Sequence, residues 1–208
     1  MVWLARVSAA VVCVWLGQAT VQAAPGGVPA AAAASPDDPL HLARALVARA
    51  EHGRRPFAVV DKRRAQIFVF DASGALVGRS AALLGRALGD VSMPGVGLRT
   101  QQGRLRDADR TTPAGRFASE PGRNREGEEV VWIDYEAALA IHRLRGGPEH
   151  ASRSRHLAGS DPLARRVSAG CVVVPGAFFD GVVQPMLGRQ RGMVLVMPEA
   201  TDTSDSVM

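Results

Sequence analysis

Apolar positions along the chain change their spacing near residue 55. Leu40, Ala43, Leu46, Val47 and Ala50 recur at helical intervals. Asp37 and Asp38 are placed to cap a helix there, Pro39 suits its first turn and Gly53 stops it, so an N-terminal helix is predicted within 37–53. From Phe57 onward the spacing shortens. Phe57-Ala58-Val59-Val60 and Gln66-Ile67-Phe68-Val69-Phe70 read as strands, and Asp71-Ala72-Ser73-Gly74 as a turn into a third strand at 75–78. Further strands are predicted at 115–118, 130–133, 139–142, 168–174 and 193–197, with a short helix from Pro175 to about Leu187. Two stretches lack such patterning. Residues 85–113 are rich in Gly, Arg, Asp and Thr, and residues 144–166 are polar with many Arg, Gly and Ser; both read as long loops. The pattern as a whole predicts a mostly β, single domain with one or two peripheral helices.

The N-terminus carries a different signature. Arg6 precedes an apolar run over 7–16, and Val21-Gln22-Ala23 offers small residues for cleavage, which reads as a secretory signal over 1–23. The apolar run is shorter than the roughly 20 residues a spanning helix needs. Residues 24–36, rich in Ala, Pro and Gly, read as a flexible linker, and the acidic, small-residue stretch 199–208 as a disordered tail. The expected location is therefore periplasmic or secreted. The formal net charge is +5, and Lys62 is the only lysine among the cations. That balance fits either a solvated, arginine-rich surface or one that concentrates an anionic polymer. Few aromatics and no recognisable motif argue against a nucleic-acid partner.

Removing the leader also removes Cys13 and leaves Cys171 as the sole cysteine. A lone thiol in an exported chain has no internal disulfide partner, so it is either buried and inert or a reactive group. A thiol attacks as the thiolate and needs a base. Of the five histidines, only His142 ends a predicted core strand. His41 and His52 belong to the N-terminal helix region, and His150 and His156 to the second polar loop. In Ser168-Ala169-Gly170-Cys171, small residues permit a tight turn whose backbone N–H groups face a developing oxyanion, and Ser168 is able to fix that turn. A metal site using His142, His150, His156 and Cys171 is disfavoured, because those positions lack the close ligand pairs of zinc sites.

His142-Arg143, followed at a distance by Ser168-Ala169-Gly170-Cys171, resembles the L,D-transpeptidase (YkuD-like) catalytic domain. Thr111-Thr112-Pro113-Ala114-Gly115-Arg116-Phe117 is similar to that family's Thr-Pro-x-Gly-x-Phe segment, and Val60-Asp61-Lys62 with residues 67–70 to its opening hairpin. The likeness covers residues 57–198. Ala169 stands where the family has His or Tyr, and Val172-Val173 where it often has polar residues. The resemblance implies a β-sandwich or barrel, with residues 144–166 as an Arg-rich lid. Cys171 would be the acyl-accepting nucleophile and His142 its base. The Arg143 backbone carbonyl would orient the imidazole, and the amides of Ala169, Gly170 and Cys171 would form the oxyanion hole. The implied reaction is acyl transfer between peptidoglycan stem peptides, with D-Ala leaving and no metal or organic cofactor, in cell-wall biogenesis and cell shape. A carbapenem would form an adduct on the cysteine. Arg143, Arg145, Arg165 and Arg166 are candidates to hold stem-peptide carboxylates, since a guanidinium binds them bidentately. Two alternatives remain: a carboxypeptidase or hydrolase using water on the same site, and a catalytically decayed wall-binding module. Oligomeric state is left open.

Overall fold

An uninterrupted apolar run implies a strand covered on both faces, and β1 (Phe57–Asp61) is buried at every position. The computed structural model describes residues 38–199, which fall in one unit. The predicted leader, the linker, Asp37 and residues 200–208 lie outside the described residues. Ahead of β1, helix α1 (Pro39–Ala48) starts at Asp38, whose Oδ1 accepts the Leu40 N–H at 3.2 Å. Its buried residues Ala43 and Leu46 pack on Phe57, Val59, Phe68 and Phe70. The alternate residues of β1, Ala58 and Val60, face the main core instead.

β1 forms a hairpin with β2 (Gln66–Phe70), which pairs antiparallel with β3 (Leu76–Ala81). β4 (Leu84–Gly85) is short. β5 (Gly115–Arg123), β6 (Glu129–Asp134) and β7 (Leu139–Arg143) form a meander. β8 (Arg166–Ser168) pairs parallel with β4, and β9 (Val172–Val174) pairs parallel with β7. β10 (Gly192–Val196) lies between β1 and β5, parallel to the first and antiparallel to the second. The eight-stranded sheet has the order β3-β2-β1-β10-β5-β6-β7-β9. Just beyond β3, Leu83 exchanges backbone hydrogen bonds of 2.7 and 2.9 Å with Val173. The two edges therefore nearly meet, and the sheet is close to a closed barrel. The molecule is mostly β, as the patterning predicts.

Both polar stretches contain more order than their composition suggests. The first holds α2 (Val96–Gln101) and a 3-10 turn at Asp107–Asp109; the second holds α3 (His150–Ala158) and a 3-10 turn at Leu163–Arg165. α3 buries only Leu157, so it carries no apolar periodicity. That leucine closes a small cluster with Leu83 and Val173, against which Cys171 packs. The segment 168–174, read as one strand, is two strands interrupted at Ala169-Gly170-Cys171. After β9, α4 (Gly176–Phe178), a π-helical turn (Phe179–Val183) and α5 (Gln184–Leu187) follow without a break. Phe179, Val183 and Leu187, fully buried, fill the main core against β6, β7 and β9. Each such side chain contributes roughly 1.5–3 kcal/mol. Glu199, assigned from sequence to the loose tail, is instead tied down: its carboxylate meets Arg166 at 2.7 Å and Lys62 at 3.4 Å.

Candidate active site

The interruption between β8 and β9 is built from small residues and two hydroxyls. Gly170 has φ +129°, which side chains rarely adopt, and a Cβ there would stand 3.0 Å from the Thr111 carbonyl. Ser168 Oγ donates to the Cys171 carbonyl at 2.7 Å and accepts the Gly170 N–H at 3.1 Å. Thr112 Oγ1 donates to the Gly170 carbonyl at 2.7 Å and accepts the Gly85 N–H at 2.8 Å. Both side chains are buried, so each bond forms where an unmet polar group would be costly. One expectation is corrected here. The Gly170 amide is occupied by Ser168, which leaves the amides of Ala169 and Cys171 as candidate oxyanion donors. Gly170 supplies the turn's conformation.

Cys171 is partly exposed. Its thiol donates to the Ala138 carbonyl at 3.5 Å. Ala138 belongs to the β6–β7 turn and has φ +55°, a left-handed conformation uncommon outside glycine. The turn is held by Asp134, whose Oδ1 accepts the Ala137 N–H at 2.9 Å. α2 packs closely on it: a Cβ on Gly97 would fall 1.7 Å from the Glu136 carbonyl. Burial pushes the Cys171 thiol up, with the Ala140 amide and the Arg145 charge acting the other way. The resting group is a thiol.

His142 sits on β7. In the parallel register Ile141 faces Val172 and His142 faces Val173, so one step back sets Ala140 opposite Cys171. Ile141 and Val172 are core residues. Continued one residue ahead of β9, the alternation puts Cys171 on the same face as His142, offset by two residues. Strand spacing puts such diagonal neighbours about 8 Å apart at Cα. The described contacts include no hydrogen bond between sulfur and imidazole. Nδ1 lies 2.9 Å from the Arg143 carbonyl. A carbonyl only accepts, so Nδ1 carries the proton and Nε2 the lone pair. Burial lowers the His142 pKa; the Arg143 carbonyl opposes this and Arg145 adds to it. The imidazole is neutral at pH 7.

Cys171 lines a crevice of about 50 Å³ together with Thr111, Ala138, Ala169, Gly170, Val96 and Asp109. A larger groove of about 350 Å³, between Glu51, His52, Arg116 and Met193, does not include Cys171.

The candidate arginines divide. Arg145 is half exposed, pairs with Glu128 at 2.7 Å and is close enough to influence both His142 and Cys171. Arg143 places its guanidinium over the Phe179 ring and pairs with Asp180 at 2.9 Å. Arg165 and Arg166 are corrected as carboxylate binders. Arg165 is buried and donates to the carbonyls of Arg64, Ala65, His156 and Gly159. Arg166 binds the Lys62 carbonyl at 2.8 Å and Glu199. Both brace the fold around the nucleophile strand. His52 is bonded to the Ala72 carbonyl and rests on Phe57, and His150 is bonded to the Arg145 carbonyl. Among the described residues, no group of three or more His, Cys, Asp or Glu is arranged to hold a metal. Within the same residues no helix is long and apolar enough to cross a membrane.

The sequence did not mark Ala138 or the Asp109 cluster as part of the site. Thr112 was noticeable only through its motif, not through any polar pattern. Comparison with family models, with curated proteins and with solved structures finds no match for this chain.

Proposed function

We propose that this chain is an exported cysteine acyltransferase of the L,D-transpeptidase kind, acting on peptidoglycan stem peptides. The observation that carries it is His142 on β7 with Cys171 just ahead of the paired strand β9, and Nδ1 of the histidine already held by a carbonyl. Rotation about the Cys171 Cα–Cβ bond would release the sulfur from Ala138 and bring it toward His142 Nε2. Nε2 takes the thiol proton as sulfur attacks the donor carbonyl. The N–H groups of Ala169 and Cys171 stabilise the oxyanion. Collapse of the tetrahedral intermediate expels an amine, D-Ala in the proposed donor, which takes the proton from the imidazolium. A stem-peptide amine then attacks the thioester, its proton passes to His142, and the thiol is regenerated. The reaction is balanced without a metal or redox partner. Water in place of the amine would give the carboxypeptidase product.

Two measurements test this. Incubation with a carbapenem followed by intact-mass analysis should show one adduct, absent from Cys171→Ala. Digestion of purified sacculi should yield altered muropeptides with wild type and none with Cys171→Ala. Shortened stems alone would indicate hydrolysis. Normal sacculus binding by Cys171→Ala, with no chemistry from wild type, would establish the binding-module alternative instead.

A further inference from the structure

Asp109 forms part of the wall of the crevice that holds Cys171. Its carboxylate side chain is fully buried and carries two arginines. Arg99 bonds through Nε and Nη2 at 2.8 and 2.5 Å, and Arg106 through the same two atoms at 3.1 and 2.9 Å. One negative charge thus faces two positive ones. The forks hold Asp109 ionised: its bonds to Arg99 first, then Arg106, keep its carboxyl far below the usual carboxylate range. The cluster therefore keeps a net charge of +1. The anion is at the bottom and the cations are toward water, with 23% of the Arg99 and 59% of the Arg106 side chain exposed. In both arginines Nη1 is left outside the fork. The crevice has room for little more than a few waters, so a peptide donor would have to lie across its mouth. Leu105, beside Arg106, forms part of the same wall.

We propose that Arg106, backed by the Arg99–Asp109 pair, is a carboxylate subsite of the acyl donor that reacts with Cys171. The inference rests on the transferase reading for its ligand. Asp109 and Leu105 line the crevice and the two guanidiniums stand behind them; whether their excess charge reaches the sulfur does not depend on that reading and is testable alone. Asp109 acts as the positioning residue. By fixing two guanidinium planes it removes rotamer freedom that an exposed arginine would otherwise lose on binding. Arg165 and Arg166, the sequence-based candidates for this task, are engaged elsewhere.

Alkylation of Cys171 by anionic iodoacetate and neutral iodoacetamide reads the charge directly. Each rate is followed by mass, and the ratio is normalised to that for free cysteine. The wild-type ratio is expected to exceed one and to fall toward one in 1 M salt as the charge is screened. Arg106→Gln leaves the Arg99 fork on Asp109 intact and should lower the ratio about threefold or more. Arg104→Gln removes the same charge from the same segment without touching Asp109 and should leave the ratio unchanged. Arg106→Lys should keep the ratio but slow acylation by a carboxylate-bearing carbapenem, because an ammonium lacks the fork. A salt-independent wild-type ratio near one overturns the subsite without any variant, as does an equal ratio in wild type and Arg106→Gln. Carbapenem adducts forming equally fast in wild type and Arg106→Gln overturn the subsite and leave the transferase reading standing. A ratio that falls in Arg106→Gln but not in Arg104→Gln, with no carbapenem adduct, does the reverse: the anion subsite holds and the transferase reading falls.

Discussion

The protonation of two side chains sets the pH behaviour of the candidate site. His142 is held below its ordinary range mainly by burial, and Cys171 above its own for the same reason. The charged groups acting on His142 are Arg145, Glu128 and Arg153. The resting pair is thus neutral thiol and neutral imidazole, and in the proposed reaction the proton would move only when an acyl donor arrives. The acid limb of a rate profile follows protonation of His142, so activity should persist below pH 6.5, the ordinary histidine value. Iodoacetamide alkylation follows the thiolate and should rise only above about pH 8.5. Rates measured from pH 5 to 10 check both. Fast alkylation at pH 7 would mean a preformed thiolate–imidazolium pair. Cys171 and His142 stood out in the sequence as candidates because few residue types are suited to nucleophilic chemistry and only one histidine ended a predicted core strand. Arg165 and Arg166 were misassigned because polarity is visible in a sequence while burial of a guanidinium against backbone carbonyls is not.

Between elements, Thr112 joins three pieces of chain: β4 through Gly85, the β8–β9 turn through Gly170, and the stretch leading into β5. Thr112→Val preserves the shape but leaves a buried N–H and a buried carbonyl without partners, at a cost of about 1–3 kcal/mol. Thr112→Ser should recover most of that loss, and denaturant unfolding of the three proteins measures it. The strands were legible because each reports its environment in its own residues: β1 is apolar from Phe57 to Val60 and buried on both faces. α3 was not legible, because one buried leucine gives no period. The break in 168–174 was hidden for another reason. Val172, Val173 and Val174 carry a strong strand signal, while the turn before them depends on Gly170 φ and on hydroxyl bonds reaching to residues distant in the chain. The mostly β class was legible; the curl that brings Leu83 to Val173 depends on a contact too long-range for local patterning.

At the scale of the molecule, the last strand occupies the middle of the sheet. β10 separates β1 from β5, so removing residues from Gly192 onward would expose an unpaired edge on each of two central strands and strip Met193, Val194 and Val196 from the cores. Such a truncated chain should show no cooperative thermal transition by calorimetry, whereas one ending at Glu199 should. The same strand order governs timing. During synthesis the barrel has a slot that nothing made earlier can fill, and long-range pairing of this kind is slow. A nascent chain stays open until its final segment emerges. For a polypeptide threaded through a narrow translocation pore, as proposed here, that delay would keep it pliable until passage is complete.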